Sequence, residues 1–481
     1  KYKLMTGGIC VGLLDKRKPQ IREKRLNTLN TYFGDIDQLL NNMEAGEINQ
    51  KIRTFSQTSF DEIIYVLQVL NGIEDSGIVI HGPLGCSAVQ LHMLSKARSR
   101  KWVVTNLNEQ DSILGSGEKL ELAIRKLYKS CKPNVIFIVA TPVIAINNDD
   151  ILSSVVELED ELNIKIVPIF SDGFKSKTSI FGSDVAFHAI SKYLVTCNKE
   201  ETQSNLINLI SIFESKKDLN EIKNLLNRIG VEANILPRFS TLENIYRVSK
   251  AALSVSIDKD NGDYFVKSLK EKYSIPFLSN LYPIGIEETK DWFISVGRAL
   301  GLEKNAQDVI YKYSDGLNEY IDKNNLNGLR IYINLPTSKA FSIVKLIKEF
   351  GADLAGITVD HIDDINKEDL IYIKNLDESI KLHVADGQSF EEENILNRLK
   401  PDLYIGLSQH STLAARLGIP SVAIDNLDIL GFNGVKNFIK AVYKTLNNRK
   451  FLEILSKKDR LPYKKNWYNK STNWYIKQEV K

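Results

Sequence analysis

Cysteine is scarce in this sequence, and its scarcity excludes one class of protein. Only four cysteines occur in 481 residues, and they are widely spaced, at positions 10, 86, 131 and 197. Secreted proteins that depend on a disulfide framework carry cysteines at a much higher density. We therefore expect a cytoplasmic protein, in which each cysteine needs its own explanation.

Long apolar runs are also missing. The longest, VIFIVATPVIAI at 135–146, contains Pro142. It is shorter than the run of about eighteen apolar residues that a membrane-spanning helix needs. The first residues, KYKLMTGGICVGLL, hold only a short, glycine-rich apolar stretch, which is a poor signal peptide. The sequence thus predicts no membrane partner.

Neither sign of charge is in excess. Lys and Arg number 63 and Asp and Glu 60, a formal net charge of +3. This balance gives no electrostatic reason to expect nucleic acid or an anionic membrane as a partner. The last twenty residues, PYKKNWYNKSTNWYIKQEVK, do mix basic and aromatic side chains. For them we prefer a surface tail or a subunit contact to a nucleic-acid contact.

What the sequence does have is a long alternation of short apolar runs with amphipathic helical stretches. This alternation is typical of parallel sheets with crossover helices. The chain is too long for one core. We predict an α/β fold of three consecutive doubly wound, Rossmann-like domains. The predicted strands are 77–81, 101–105, 134–140 and 163–169, then 205–213, 232–237, 253–257 and 275–280, and then 329–336, 353–359, 381–387, 402–408 and 420–425.

The same pattern sets the predicted domain boundaries. Residues 1–55 show helical stretches without a strand pattern and are expected to form an N-terminal helical arm. The first α/β domain then takes 56–203, the second with its linking helices takes 204–325, and the third with the C-terminal tail takes 326–481. Ser389 and Glu392 are spaced as a capping box for a helix of the third domain.

Ligands of doubly wound sheets bind at the carboxyl ends of the strands, so the loops there are the candidate binding sites. In GIVIHGPLGCSAVQL (77–91), Cys86 stands in a glycine turn where a helix should begin. The start of a helix favours an anion and lowers the pKa of a cysteine, and the thiolate is the form that binds iron–sulfur clusters. A small buried side chain in a tight turn explains Cys86 equally well.

Two further loops follow in the first domain. The stretch 105–124 carries Asp111, Gly115 and Gly117 but lacks the spacing of a phosphate-binding loop, and a plain strand-to-helix connection is preferred. Asp149 and Asp150 stand where a helix should start, which favours N-capping over metal binding.

Taken in chain order, these loops resemble those of one family. HGPLGC, TNLNEQDSILG with GEKLELAI, TPVIAINNDDI and SDGFKSKTSIFGSDVAFHAI occur in the order found in the nitrogenase component 1 family. That family includes the molybdenum–iron protein subunits, protochlorophyllide reductase subunits, a nickel-tetrapyrrole reductase and cofactor scaffolds. Later segments that look like the family in the same order are LNEIKNLLNRIGVEANIL, LKEKYSIPF, YPIGIEETKDWF and GFNGVKNFIKAV. The resemblance covers about residue 55 to about residue 447.

The resemblance implies three α/β domains around a central cleft. It also implies subunits that share an iron–sulfur cluster at their interface and an ATP-dependent iron protein that delivers electrons. Cys86 matches one of the shared-cluster cysteines, with Gly85 beside it. The other two family positions are not cysteine: the region about 25 residues earlier reads QTSFDE (57–62), and Thr141 stands before the proline of the loop matching TPV. Cys10 is a conceivable substitute if the N-terminal arm folds over the interface.

The second, larger metallocluster of the catalytic subunits also lacks its ligands here. In those subunits the ligands are a cysteine in the second domain and a histidine near the end of the chain. The region that matches the cysteine reads SIDKDNGD (256–263) here, and no histidine closely precedes GFNG. The paired histidines of the active-site helix correspond to Ser183 and Asp184. No molybdenum–iron cofactor is therefore expected, and this chain is not expected to reduce nitrogen. His410, after a strand of the third domain, is a further candidate to face the cleft.

Three functions stay open. The leading hypothesis is an oxidoreductase subunit that shares an iron–sulfur cluster with a homologous component 1-like subunit, in a homo- or hetero-oligomer, and receives electrons from the iron protein. The second is a non-catalytic partner or cofactor-assembly scaffold that has lost its metal ligands. The third is a binding protein for a small, tetrapyrrole-like molecule, since a fold by itself does not fix a function.

Overall fold

The computed structural model describes residues 23–46, 51–53, 60–87, 101–196, 202–279, 282–314, 316–377, 379–457, 464–474 and 476–478. The strands, in chain order, are β1 (Thr31–Asp35), β2 (Lys51–Arg53), β3 (Ser76–His81), β4 (Trp102–Val104), β5 (Val135–Ala140), β6 (Lys165–Phe170), β7 (Gln203–Ser211), β8 (Glu232–Pro237), β9 (Ala251–Ser256), β10 (Phe277–Leu278), β11 (Arg330–Asn334), β12 (Asp353–Val359), β13 (Lys381–Ala385), β14 (Leu403–Gly406), β15 (Ser421–Ala423) and β16 (Ile476–Gln478).

Helices connect these strands, as the alternating pattern predicts. Their bounds are Ile36–Glu44, Glu62–Leu70, Glu109–Leu114, Gly117–Cys131, Pro142–Asn147, Ile151–Leu162, Phe181–Tyr193, Lys216–Arg228, Leu242–Tyr246, Lys259–Tyr273, Ile286–Ala299, Glu303–Ser314, Leu317–Lys323, Thr337–Glu349, Lys367–Leu376, Ser389–Leu399, Ser411–Arg416, Gly431–Asn447, Arg449–Ser456 and Lys465–Tyr468. Within the part of the chain that the structure describes, no helix combines the length and the apolar character required to cross a membrane.

The predicted parallel sheets are confirmed. The first sheet has the order β4-β3-β5-β6 and the second has the order β10-β9-β7-β8, each parallel throughout. The third has the order β13-β12-β11-β14-β15, also parallel, with β1 added antiparallel to β13. In each sheet the strand order reverses once, which is the topology of Rossmann-like folds.

The chain divides into two compact units. Among the described residues, the first unit takes those within 1–26, 60–214 and 230–280, and it holds the first and second sheets. The second unit takes those within 27–59, 215–229 and 281–481, and it holds the third sheet. The domains predicted at 56–203 and 204–325 therefore each contribute strands to the first unit.

Helices bury both faces of the first sheet, which is why its strands are continuous apolar runs. Every residue of β3 and of β5 is buried. Alternate residues of β5 point to opposite faces, so Ile136 and Ile138 pack in one core cluster while Phe137 and Val139 pack in the other. The cluster that contains Phe137 and Val139 also contains residues of the second sheet, such as Ile210. It therefore joins the two sheets of the first unit.

The N-terminal region differs from the helical arm expected of it. Thr31–Asp35 is an edge strand of the third sheet, and Lys51–Arg53 pairs antiparallel with β16. The short run TYFGD is too brief to show a strand period by itself, and the exposed edge of β13 supplies the hydrogen bonds that make it a strand. The described part of this region also contains the helix Ile36–Glu44.

The C-terminal tail packs on its own chain. The Tyr468 hydroxyl donates to Glu393 at 2.5 Å, and Asn394 donates to the Lys470 carbonyl at 3.1 Å. Trp467 lies edge-on to Phe390, with ring centroids 5.3 Å apart. Two aromatic side chains and the backbone of the described tail thus pack on the helix Ser389–Leu399.

Candidate functional site

The strand order of the first sheet places its binding edge between β3 and β5. From β3 the chain continues to β4 on one side, and from β5 it continues to β6 on the other. The two loops diverge at the carboxyl ends of these strands, and ligands of doubly wound sheets bind at such a point. The loop after β3 contains Gly85 and Cys86, and the loop after β5 begins at Thr141.

The two loops approach each other so closely that one residue must be glycine. A Cβ atom placed on Gly82 would lie 2.1 Å from the Thr141 hydroxyl oxygen. The Thr141 backbone N–H also donates to the His81 carbonyl at 3.1 Å. The glycine that follows His81 in HGPLGC is therefore explained by packing inside this chain.

His81 holds the surrounding loops together. Its Nδ1 lies 3.1 Å from the Thr105 hydroxyl and its Nε2 lies 3.0 Å from the Ser116 hydroxyl. Ser116 in turn donates to Asp149, and the Gly82 backbone N–H donates to Thr105 at 2.9 Å. One buried imidazole thus ties the ends of β3 and β4 to the segment after β5.

Burial keeps His81 neutral. Loss of solvation lowers the pKa of His81 to about 4, although the Asp149 carboxylate acts in the opposite direction. Because Ser116 donates to Asp149, its oxygen is free to accept from a neutral His81 that carries its proton on Nε2. His81 therefore steadies the turn, and both ring nitrogens are engaged within the protein.

Cys86 lies at the edge of this scaffold. The helical turn begins at Gly85, and the Cys86 backbone N–H donates to the Pro83 carbonyl at 3.1 Å. The side chain is half-buried. Burial, followed by the charge of Asp61, raises the pKa of the Cys86 thiol. The lowered pKa expected of a helix start is therefore wrong, because a neighbouring carboxylate and lost solvation oppose the thiolate.

Asp61 and Glu62 are the residues of this site that sequence reasoning missed. Asp61 lies 25 residues before Cys86 (86 − 61 = 25), at the spacing where the family has its earlier cysteine. Glu62 is buried, and the Ser171 hydroxyl donates to its Oε1 at 2.9 Å. Burial raises the pKa of Glu62 to about 7, helped by the charges of Asp172 and Asp61. The spacing alone was a signal that could have found Asp61.

The described residues of this chain do not form a complete iron–sulfur site. Among them, no group of three or more His, Cys, Asp or Glu side chains is arranged to hold a metal ion. Thr141, which the resemblance matches to a cluster cysteine, has a buried hydroxyl that donates to no acceptor in the described part of the chain. Cys131 ends a helix ahead of β5, where it packs against an apolar cluster. Cys10 and Cys197 lie outside the described residues.

Gly85 is exposed and has no packing reason to be glycine. A Cβ atom placed there would meet no atom of the described residues within 4 Å. Among those residues, nothing packs against Gly85 beside Cys86.

Exposed apolar side chains surround this edge of the sheet. They follow the carboxyl ends of the four parallel strands, so they lie at the same edge. Ile113 is 80 % exposed, Leu114 84 % and Ile146 73 %. The helices Glu109–Leu114 and Pro142–Asn147 that carry them contact each other. We call this set the apolar rim; its members are Leu84, Ile113, Leu114, Ile146, Phe170 and Phe174.

His410 belongs to the second unit, whereas Cys86 belongs to the first. It ends the short helical turn Ser408–His410 after β14, and it is only partly exposed. Burial lowers the pKa of His410, against the opposing charge of Asp425. Its Nε2 lies 3.2 Å from the Gln409 amide nitrogen, and its buried Nδ1 has no hydrogen-bond partner among the described residues.

The family model described as nitrogenase component 1 type oxidoreductase matches residues 62–447. The nitrogenase iron-molybdenum cofactor biosynthesis protein NifE of Methanococcus maripaludis is 26 % identical over 383 residues, covering 77 % of this chain and 79 % of NifE. The nitrogenase molybdenum-iron protein alpha chain of Methanothermobacter marburgensis is 24 % identical over 409 residues, covering 79 % of this chain and 85 % of the relative.

The fold agrees. A solved structure of nitrogenase Cp1 at pH 5 superposes with a TM-score of 0.72, covering 86 % of this chain and 92 % of that one at 19 % identity. The family model spans most of the chain, and the sheets and the HGPLGC loop occur in the order expected. The chain therefore belongs to the nitrogenase component 1 family.

Proposed function

We propose that this chain is a component 1-type subunit that pairs with a homologous subunit through the apolar rim. In the pair, Cys86 is the one thiolate that the described residues contribute to an iron–sulfur cluster or cluster precursor, and the partner completes the site. The pair serves in the assembly or transfer of a metallocluster, without reducing nitrogen. The observation that carries the proposal is the half-buried Cys86 thiol within a set of exposed apolar side chains.

The exposure of the apolar rim supports pairing. Soluble proteins rarely leave large contiguous apolar patches facing water, and such patches mark interaction surfaces. The scaffold beneath the rim is rigid, because His81 and its hydrogen-bonded neighbours tie three loops together. A rigid apolar surface lowers the cost of ordering side chains when a partner binds.

The name of one relative supports an assembly role. One is named as an iron-molybdenum cofactor biosynthesis protein and another as a molybdenum-iron protein alpha chain. At 24 to 26 % identity neither selects the function of this chain. The absence of cysteine after position 197 favours the assembly role, since a catalytic subunit needs a cysteine ligand in that later region.

A reductase subunit supplied by an ATP-dependent iron protein is the second candidate. Glu62 favours it: a buried carboxyl group whose pKa is raised to about 7 exchanges its proton readily at neutral pH. Reduction of an organic substrate consumes protons, so such a group at the edge of the first sheet would serve that chemistry.

The test is anaerobic purification followed by iron, sulfide and oligomer measurements. We expect the wild type, alone or with a co-expressed homologous subunit, to be a dimer or larger that contains iron and sulfide. Cys86→Ser should lose most of the iron. Cys131→Ser is the matched control, because Cys131 packs on an apolar cluster away from the site, and it should keep the iron. Iron that is absent from every preparation, or kept by Cys86→Ser, would refute the cluster.

The pairing surface is tested separately. Ile113→Glu should shift the protein to monomer in light scattering, because the charge would be buried against the partner. Ile454→Glu changes a side chain that is also exposed but belongs to the second unit and not to the rim, and should leave the oligomer unchanged. Electron transfer from an iron protein with ATP hydrolysis, at rates that support turnover, would favour the second candidate.

A further inference from the structure

The turn that follows strand β9 of the second sheet has polar and charged side chains that are nearly all buried. The residues that follow β9 and open the helix Lys259–Tyr273 are Asp258, Lys259, Asp260, Asn261 and Asp263, each less than 9 % exposed. Carboxylates are costly to bury unless a charge or hydrogen bonds compensate them. One buried cation, Lys259, lies in this turn itself, and the three carboxylates of Asp258, Asp260 and Asp263 outnumber it.

A second buried cation, Arg25, comes from a distant part of the chain and joins the Asp184 carboxylate to the backbone of this turn. Its Nε and Nη2 donate to the two carboxylate oxygens of Asp184, both at 2.7 Å. Nη2 also donates to the backbone carbonyl of Asp260 at 2.5 Å. The guanidinium is fully buried, and the paired geometry with Asp184 is the strong, two-bond form of an arginine–carboxylate interaction.

The neighbouring side chains close the same cluster. The Ser183 hydroxyl donates to Asn261 Oδ1 at 3.0 Å, and the Asn261 amide donates to Asp258 at 2.7 Å. Ser183 and Asp184 begin the helix Phe181–Tyr193, so these bonds join that helix to the turn after β9. Further along the chain, Lys267 pairs with Asp263 at 2.9 Å.

The backbone at Lys24 and Arg25 is left-handed, a conformation that is strained for residues other than glycine. Lys24 and Arg25 have φ of 48° and 50°, a region that residues other than glycine seldom adopt. Strain of this kind persists only where the surroundings enforce it. The third nitrogen of the guanidinium, Nη1, has no acceptor among the described residues. Among those residues, the hydrogen bonds of the guanidinium are therefore made by Nε and Nη2.

The position of this cluster matters because of the family resemblance. By the resemblance, Ser183 and Asp184 correspond to the paired histidines of the active-site helix in catalytic members. The strand β9 corresponds to the strand that carries a metallocluster cysteine in those members, and the turn described above follows it. Here these residues supply neither sulfur nor imidazole, and their oxygens are already bonded to one another and to Arg25. They do not fit a metallocluster.

We propose that Arg25 acts as a built-in cation that takes the place of a bound metal group at this position. The guanidinium holds the helix Phe181–Tyr193 against the turn after β9, so the first unit is complete here without a cofactor. The inference concerns other residues than Cys86 and does not depend on the proposed function. Removing the guanidinium leaves buried oxygen ligands with an excess of negative charge, which is the kind of site that hard divalent cations prefer.

The test is cation-dependent rescue of Arg25→Met. We expect this variant to melt about 10 °C below the wild type, because Asp184 is left buried without its partner. Millimolar Mn²⁺ should restore most of that loss and give the electron paramagnetic resonance signal of a protein-bound ion. The wild type should show neither effect. The double variant Arg25→Met/Asp184→Asn should melt closer to the wild type and should not respond to Mn²⁺.

A second variant keeps the test decisive. Arg25→Lys retains the charge but loses the paired geometry, so it should fold with a smaller loss and ignore Mn²⁺. If Arg25→Met is recovered only unfolded, refolding with and without Mn²⁺ replaces the melt, and native circular dichroism should return only with the ion. The proposal is overturned by a Mn²⁺ response in the wild type or Arg25→Lys, or by its absence in Arg25→Met.

Discussion

Replacing Glu392 by glutamine tests how this fold tolerates a buried carboxyl group. Glu392 lies in the helix Ser389–Leu399 and is fully buried. Its Oε1 accepts from the Tyr404 hydroxyl at 2.6 Å and from the Asn334 amide at 2.5 Å. Glutamine has nearly the same shape and keeps Oε1 as an acceptor, so the change mainly removes the ability to titrate.

The expected magnitude follows from the pKa. Burial raises the pKa of Glu392 from 4.5 to about 7. A difference of about 2.5 in pKa corresponds to about 3 kcal/mol. Because the pKa is higher in the folded state, the stability that this group contributes is fully present below pH 4.5 and is lost as the pH rises to 7. The glutamine variant cannot lose it, so relative to the wild type it should gain about 3 kcal/mol between those pH values.

The assay is urea unfolding at a series of pH values from 4.5 to 8.5. The difference in free energy of unfolding between variant and wild type is plotted against pH, which cancels every other titrating group, including Glu62. Glu319→Gln is the control, since Glu319 is exposed and its removal should leave the pH profile unchanged. Parallel profiles for Glu392→Gln and the wild type would refute the argument that burial controls this carboxyl group.

Three other predictions follow from the geometry. Gly434→Ala should cost about 2 kcal/mol of unfolding free energy. The reason is that a Cβ there would lie 2.1 Å from the Ile429 carbonyl group. Gly85→Ala is the control: no atom of the described residues lies within 4 Å of its Cβ, so it should cost no stability in the same urea titration. His81→Phe should make the protein less sensitive to acid as the pH falls from 6.5 toward 4, because the folded-state pKa of His81 is lowered to about 4 and its share of the loss disappears. Equal acid sensitivity of wild type and variant would contradict this prediction. Asp61→Asn should speed alkylation of Cys86 at pH 8 several-fold, since the Asp61 charge raises the pKa of that thiol; mass spectrometry of the Cys86 and Cys131 peptides measures it, and Cys131 should react as in the wild type.

The strands were predictable because their signals are local. Buried parallel strands such as β5 are short continuous apolar runs, and β12 was predicted with its observed bounds, 353–359. Chain connectivity then fixes where the loops lie, since the carboxyl ends of parallel strands meet at one edge. That is why the loop with Cys86 could be placed at a binding edge from the sequence alone.

Other features depend on partners far away in the chain, and the sequence does not show them. Ser389 and Glu392 are spaced as a capping box, yet that prediction is wrong: the helix begins at Ser389, and Glu392 turns inward to Tyr404 and Asn334. The strand Thr31–Asp35 exists because β13 offers it an open edge. The pKa of the Cys86 thiol was misjudged because burial raises it, and because the carboxylate that adds to this effect belongs to Asp61, in a different loop.

The amino-acid sequence by itself determined the alternation of strands and helices, the three parallel sheets and the place of the HGPLGC loop, because apolar periodicity and glycine turns act over a few residues. Only the tertiary structure decided what surrounds each charge. Arg25 and Asp184 are 159 positions apart, and nothing local marks either as a partner of the other. Folding brings them together because a buried carboxylate must find a cation, wherever in the chain that cation lies.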